Sequence, residues 1–217
     1  MEKCSFQAVL FDLDGTLTNT LDDIADAMNR TLRRHGLPEW ETDAYRYMVG
    51  NGPVLLSERA AGSRQDLVPS VLKMYNEDYH AHNAVKTAPY PGIPELLEQL
   101  VARRLKLCVY SNKPDADARE VVSHYFPGIA FDLVRGSAPG QPMKPDPAVP
   151  LAMARQLGID PAVFAYLGDT DVDILCAGNA GMRSFGVLWG FRDAAELTKA
   201  GAAALLKHPL ELLDYIG

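Results

Sequence analysis

At 217 residues, with 47% hydrophobic and 23% charged residues, the chain has a globular composition and can build a core without disulfides or structural metal. Its formal net charge of −7 excludes the basic footprint of a nucleic-acid binder, and means that any anionic substrate must be met by local cations and a metal. Cys4, Cys108 and Cys176 are widely spaced with no Cys-x-x-Cys, no charged-then-apolar leader opens the chain, and no apolar run reaches membrane-spanning length. These features predict reduced thiols and a cytoplasmic protein with no membrane contact.

Along the chain, the apolar run Ala8-Val9-Leu10-Phe11 reads as a buried strand, stopped by the turn Asp12-Leu13-Asp14-Gly15-Thr16. Leu21, Ile24, Ala25, Met28 and Leu32 then fall at helical spacing, with Asn19 or Thr20 as the cap and Gly36 and Pro38 as the stop. Short helical patterns continue over Tyr45 to Val49, Val54 to Ala60 and Val68 to Tyr79, with no clear strand. Residues 18–84 therefore read as a helical insertion. From Tyr90 the character changes. A helix carrying Leu96, Leu97 and Leu100 precedes a strand from Leu105 to Tyr110, which ends at Ser111-Asn112-Lys113. Phe131 to Val134 reads as a further strand, and a Gly/Pro-rich loop containing Lys144 leads to a helix through Leu151, Ala154 and Leu157. Val163 to Leu167 is a strand ending at Gly168-Asp169-Thr170. A helix and the strand Ser184 to Leu188 follow, and short helices close the chain. Strands alternating with helices predict an α/β fold, a parallel sheet covered on both faces.

In such sheets ligands bind beyond the carboxyl ends of the strands. The polar clusters fall there: Asp12 with Asp14, Ser111 with Asn112, and Asp169 with Asp173, while Lys144 lies in a loop after another strand. Asp12 and Asp14 share one side of a strand end, where like charges need a compensating cation or proton. Gly15 lets backbone N–H groups approach an anion. A divalent metal, a phosphate or both would satisfy this arrangement; a capped turn with solvated acids is the plainer alternative. A carboxylate can attack phosphorus to give an aspartyl-phosphate, and Mg2+ is the hard cation that carboxylate oxygens and a phosphate would share. Asp12 and Asp169 could supply two such carboxylates. Ser111 offers a hydroxyl and Lys144 a point charge for the phosphoryl group, although an ordinary strand-to-helix cap and a solvated loop lysine are the simpler readings of these two taken alone. The segment from Gly136 to Lys144 lacks P-loop spacing.

Asp12-Leu-Asp14-Gly-Thr, Ser111-Asn-Lys, Lys144-Pro-Asp and Gly168-Asp169-Thr-Asp-Val-Asp173 together resemble, in order, the four motifs of the haloacid dehalogenase-like phosphatases. The resemblance implies a Rossmann-like core over residues 1–17 and 85–217, with the helical cap of residues 18–84 inserted after the first motif. It implies that Asp12 is the nucleophile and that Asp14 protonates the leaving group and then activates water. Ser111 and Lys144 would hold the phosphoryl group, with Gly15, Thr16 and Asn112 beside them. Mg2+ would be bound by Asp12, by the backbone carbonyl of Asp14 and by Asp169, and Asp173 would support the metal shell or orient Lys144. Within the family, the cap segment from Arg46 through Gly50-Asn51-Gly52 to Ala60, and Trp189-Gly-Phe-Arg192, look like phosphoglycolate phosphatases. That closer resemblance implies hydrolysis of 2-phosphoglycolate to glycolate and phosphate, with Arg46, Gly50, Asn51, Gly52 and Arg192 as candidates near the leaving group. Thr18-Asn19-Thr20 departs from the usual pattern, in which an acidic residue followed by Ser is frequent.

Other readings remain open at this stage. A pyrophosphatase or a sugar-phosphate mutase would use the same core. A phospho-accepting receiver domain combines similar residues, but in about half this length and without a helical insertion. The expected partner is a small phosphate ester; monomer and homodimer are both compatible with the sequence.

Overall fold

The computed structural model describes residues 5–217, so Cys4 lies outside the described residues. Strand β1, Ala8–Phe11, is buried at every position and is hydrogen-bonded on both sides. The other strands of its sheet are β4 (Lys106–Pro114), β5 (Leu133–Ser137), β6 (Phe164–Gly168), β7 (Arg183–Val187) and β8 (Ala204–Leu206). The spatial order is β5-β4-β1-β6-β7-β8, and every pairing is parallel. Successive side chains of a strand point to opposite faces. Val9, Phe11, Leu107, Val109, Ala165 and Leu167 accordingly face one apolar cluster, and Ala8, Leu10, Cys108, Tyr110, Phe164 and Tyr166 face another. Helices α4 (Ile93–Ala102) and α5 (Asp115–Tyr125) cover the first face, and α6 (Ala148–Leu157) and α7 (Asp171–Asn179) cover the second. A short helix α8 (Ala194–Lys199) leads to β8. Burial on both faces explains the continuous apolar runs of the central strands β1 and β6 and of Leu107 to Tyr110 in β4.

The chain leaves β1 for β4 and β5 on one side, then crosses to β6 on the other. The strand order therefore reverses beside β1, and a crevice opens there at the carboxyl ends. The carboxyl ends of β1, β4 and β6 carry Asp12, Ser111 and Asp169.

Helices α1 (Leu21–Arg34), α2 (Gly52–Ala61) and α3 (Val68–His82) pack round a core of their own, with Met28, Tyr45, Leu56, Val71 and Tyr75 at its centre. They join the sheet through two chain segments that pair as an antiparallel ribbon, β2 (Thr18–Asn19) with β3 (Ala88–Pro89). Asp23, only 2% exposed, clamps this junction. Its carboxylate accepts from the backbone N–H groups of Val85, Lys86 and Thr87 and from Thr87 Oγ1, at 2.7 to 3.1 Å. Charge-assisted bonds of this kind are strong, and removing the acceptor strands several donors. Asp23→Ala should cost about 3 kcal/mol and lower the melting temperature by roughly 6–12 °C, read by calorimetry.

The structure moves several expected boundaries. The strand expected from Phe131 begins at Leu133: Asp132 donates its N–H to Leu107 O, but its carboxylate, which also meets Lys106 Nζ, takes the Leu107 N–H that a ladder carbonyl would have accepted. Residues 42–47 form a 3-10 helix, ending short of the expected Val49. Thr20 occupies the N-cap position of α1 but makes no capping bond; Asn19 Oδ1 accepts instead from Leu21 N, at 3.4 Å. Strand β8 lies where only short helices were expected, since Ala204-Leu205-Leu206 is too short to show a period.

Candidate active site

Asp12 follows β1 directly and its N–H donates to Leu167 O at 2.9 Å, which fixes the backbone at the mouth of the crevice. The next turn depends on Gly15. Its φ of +87° lies in the left-handed region, and an added Cβ would overlap Asp169 Oδ2. Gly15 therefore allows the β1 turn and the β6 end to close on one another. Thr16 Oγ1 then reaches Asp169 Oδ1 at 3.4 Å, while Phe191 N donates to Asp169 Oδ2 at 2.8 Å.

Lys144 is buried, not the solvated loop lysine of the plainer reading. Its Nζ lies 2.6 Å from Asp12 Oδ1 and 2.7 Å from Asp173 Oδ1. The second oxygen of Asp173 accepts from Thr170 N and Thr170 Oγ1 in a capping box at the start of α7. Both Asp173 oxygens are thus engaged in holding Lys144 and the helix start, and both Asp169 oxygens have donors, whereas Lys144 takes only Oδ1 of Asp12. Asn112 is also a clamp. Its Oδ1 accepts from Lys144 N at 2.9 Å and its Nδ2 donates to Gly50 O at 3.0 Å, so it ties the Lys144 loop and the helical insertion to β4.

Oxygens of Asp12, Asp169 and Asp173 lie within 4.8 Å of one another, all buried. Burial pushes the Asp12 carboxyl up to about 7, against the opposing pull of Lys144 and with a further push from Asp173. Burial likewise holds Asp169 far above the usual carboxylate range, with Asp12 and Asp173 adding to it. Burial pulls the Lys144 ammonium down, but the two carboxylates outweigh it and hold Lys144 above its ordinary range. Three buried carboxylates against one ammonium leave uncompensated negative charge, and their donors are all hard oxygens. This set suits a small divalent cation.

A cavity opens directly on Asp12, Asp14 and Ser111, between the sheet and the helical insertion. Gly50 and Gly52 line it, as do Ile24 and Leu56 from the insertion. Several expected residues stand elsewhere. Asn51 accepts from Arg59 Nη2. Arg46 pairs with Asp43 and donates to Gly190 O, and Arg192 pairs with Glu196 and donates to Val49 O. The two arginines thus join the insertion to the Trp189–Arg192 loop, away from the cavity wall.

Among the described residues, the cation that does line the cavity is Lys113, of the motif Ser111-Asn112-Lys113. Its Nζ is 3.1 Å from Asp14 Oδ2 and 2.7 Å from the hydroxyl of Tyr79 on α3. The signal for it was present: Ser111 and Lys113 are i and i+2 on one strand and share a side. Tyr79 carried no such signal, because its position depends on how the insertion folds back over the sheet. Cys108 and Cys176 are buried free thiols, pushed up to about 12 by burial, and take no part in the site.

A parallel sheet that reverses at β1, an aspartate-lysine centre at that point and a helical insertion over it define an α/β protein of Rossmann-like fold with a buried acidic site at the switch point. The sequence model of the haloacid dehalogenase-like hydrolases matches residues 9–187, and the chain belongs to that family. It is 33% identical to a phosphoglycolate phosphatase of Aquifex aeolicus, over 85% of this chain and 86% of that one. It is 31% identical to an N-acetylmuramic acid 6-phosphate phosphatase of Pseudomonas aeruginosa, over 100% of this chain and 97% of that one. Among solved structures, one of a predicted phosphoglycolate phosphatase from Haemophilus somnus superposes with a TM-score of 0.90 at 26% identity, covering 96% of this chain and 97% of that one. Among the described residues, no helix is long and apolar enough to cross a membrane.

Proposed function

We propose that this protein hydrolyses a small phosphomonoester through an aspartyl-phosphate on Asp12, with Mg2+ as cofactor and 2-phosphoglycolate as substrate. The observation that carries the reading is the buried Asp12 at the carboxyl end of β1, bonded to Lys144 and open to the cavity. Asp12 attacks phosphorus, the bond to the ester oxygen breaks, and Asp14 gives that oxygen its proton. Asp14 then takes a proton from water as the water attacks phosphorus, releasing phosphate and restoring the Asp12 carboxylate. Ser111 and Lys144 orient the phosphoryl oxygens, and Asp173 holds Lys144 in place. Asp12, Asp169 and the carbonyl of Asp14 would hold Mg2+, which when bound screens the approach of carboxylate to phosphate.

The oxygen of Asp14 that does not meet Lys113 is buried without a partner, which suits a group that exchanges a proton with a ligand. The phosphoglycolate reading is supported by the similarity to relatives of that name. Both substrates named among the relatives above are phosphomonoesters that also carry a carboxylate. The test is kcat/KM across 2-phosphoglycolate, N-acetylmuramic acid 6-phosphate, pyrophosphate, hexose phosphates and nucleotides. The expected result is that 2-phosphoglycolate ranks first by at least about tenfold, equivalent to 1.4 kcal/mol. A low rank would overturn the substrate while leaving the core chemistry standing.

A further inference from the structure

The phosphoryl group must sit against Asp12, so the leaving group must occupy the rest of the cavity. That space is hostile to an anion. Its acidic wall residues are Asp12, Asp14 and Asp117, and much of the remainder is apolar. Lys113 is the one cation among the described residues that line it. Its side chain is only 4% exposed, and a buried ammonium interacts strongly with what it meets. An ammonium has three N–H donors. Asp14 Oδ2 and the Tyr79 hydroxyl take two, and the Tyr79 ring lies beneath the charge, 4.3 Å from Nζ to its centroid. One donor remains for a ligand in the cavity.

We infer that Lys113, held by Tyr79, is the specificity-determining receptor for a carboxylate on the leaving group. This rests on the phosphatase reading above and deepens it: the substrate class is a phosphomonoester with a second anionic group a few bonds from the ester oxygen. Arg46 and Arg192, to which the sequence pointed for this task, do not line the cavity and donate to Gly190 O and Val49 O at the domain junction. Lys113 stands on the rigid strand β4 while Tyr79 belongs to α3, so the receptor is complete only when the insertion lies over the sheet. Selection for a carboxylate is thereby tied to closure around the substrate.

The test compares 2-phosphoglycolate with 2-hydroxyethyl phosphate, which replaces the carboxylate by an uncharged hydroxymethyl group. The readout is the ratio of the two kcat/KM values in each variant. Lys113→Met keeps the length of the side chain and removes its charge. It should lower the ratio by at least about thirtyfold, as loss of one partner from a buried charge pair does, and Lys113→Arg should restore most of it. Tyr79→Phe keeps the ring and removes the hydroxyl, and should lower the ratio several-fold through KM for the carboxylated ester. Should Lys113→Met fail to fold, by calorimetry, Tyr79→Phe decides alone. An unchanged ratio in the folded variants, with both esters slowed equally, would overturn the inference and assign Lys113 to Asp14 alone. A wild-type enzyme that hydrolyses both esters equally would likewise overturn the inference, and with it the choice of 2-phosphoglycolate, whereas a wild-type enzyme that releases phosphate from neither would count against the phosphatase reading itself.

Discussion

Asp12→Asn should lose at least about 10^4-fold in magnesium-dependent phosphate release, because a neutral amide, with its nitrogen lone pair delocalised, is a far weaker nucleophile towards phosphorus than a carboxylate. The fold should survive. Asn keeps the size of Asp and can still accept from Lys144, whose second partner, Asp173, is untouched. The substitution should in fact raise the melting temperature of the metal-free protein above neutral pH. Burial pushes the Asp12 carboxyl up to about 7, so the folded chain pays for ionising it. Calorimetry and phosphate release measured on one preparation separate the two effects. Residual activity near wild type would remove Asp12 from the chemistry.

Removal of divalent cation should have a comparably large effect, and its stability signature should depend on pH. A carboxyl raised in the folded state binds its proton more tightly there than in the unfolded chain. Its favourable contribution is present at low pH and is lost as pH rises from the ordinary carboxylate value of 3.8 towards about 7. That loss is on the order of a few kcal/mol at about 1.36 kcal/mol per unit. Asp169 shifts in the same direction. A cation that needs both groups ionised competes with protons at low pH and binds freely at higher pH. At about a hundredfold excess over its dissociation constant it adds roughly 2.7 kcal/mol, or about 5–10 °C in a chain of this size. The rise in melting temperature on adding Mg2+ should therefore be several degrees at pH 8 and much smaller at pH 5, and chelation at pH 8 should abolish turnover. An equal rise at both pH values would contradict the assignment of these carboxylates to the metal.

Much of this site was legible in the sequence because its residues follow buried strands, and strand ends of a parallel sheet converge by topology alone. Asp12, Ser111 and Asp169 needed only the apolar run before each to be placed. Lys144 was less secure, since a loop lysine is usually solvated, and what buries it is two carboxylates distant in sequence. Asn112 reads as a polar residue at a strand end, and nothing local says that its amide ties Gly50 to the Lys144 loop. The insertion was the least legible part. Its helices could be outlined from apolar spacing, but which face meets the sheet is decided by packing. Arg46 and Arg192 thus looked suited to a carboxylate and turned out to link the insertion to the Trp189–Arg192 loop, while Tyr79 reached the cavity unannounced. Lys113 lay between these extremes. The two-residue period that pairs it with Ser111 was available, and its weight became evident only once the cavity was found to have acidic walls.

The central claim is that phosphoryl transfer passes through Asp12. Enzyme turning over 2-phosphoglycolate with Mg2+ can be quenched rapidly, reduced with borohydride and digested, and the peptide containing residue 12 weighed. Reduction of an aspartyl-phosphate leaves homoserine. The account predicts homoserine at position 12 only when substrate and Mg2+ are both present, and none in Asp12→Asn. Undiminished turnover with residue 12 unmodified, or with the phosphoryl group carried by another residue, would contradict it.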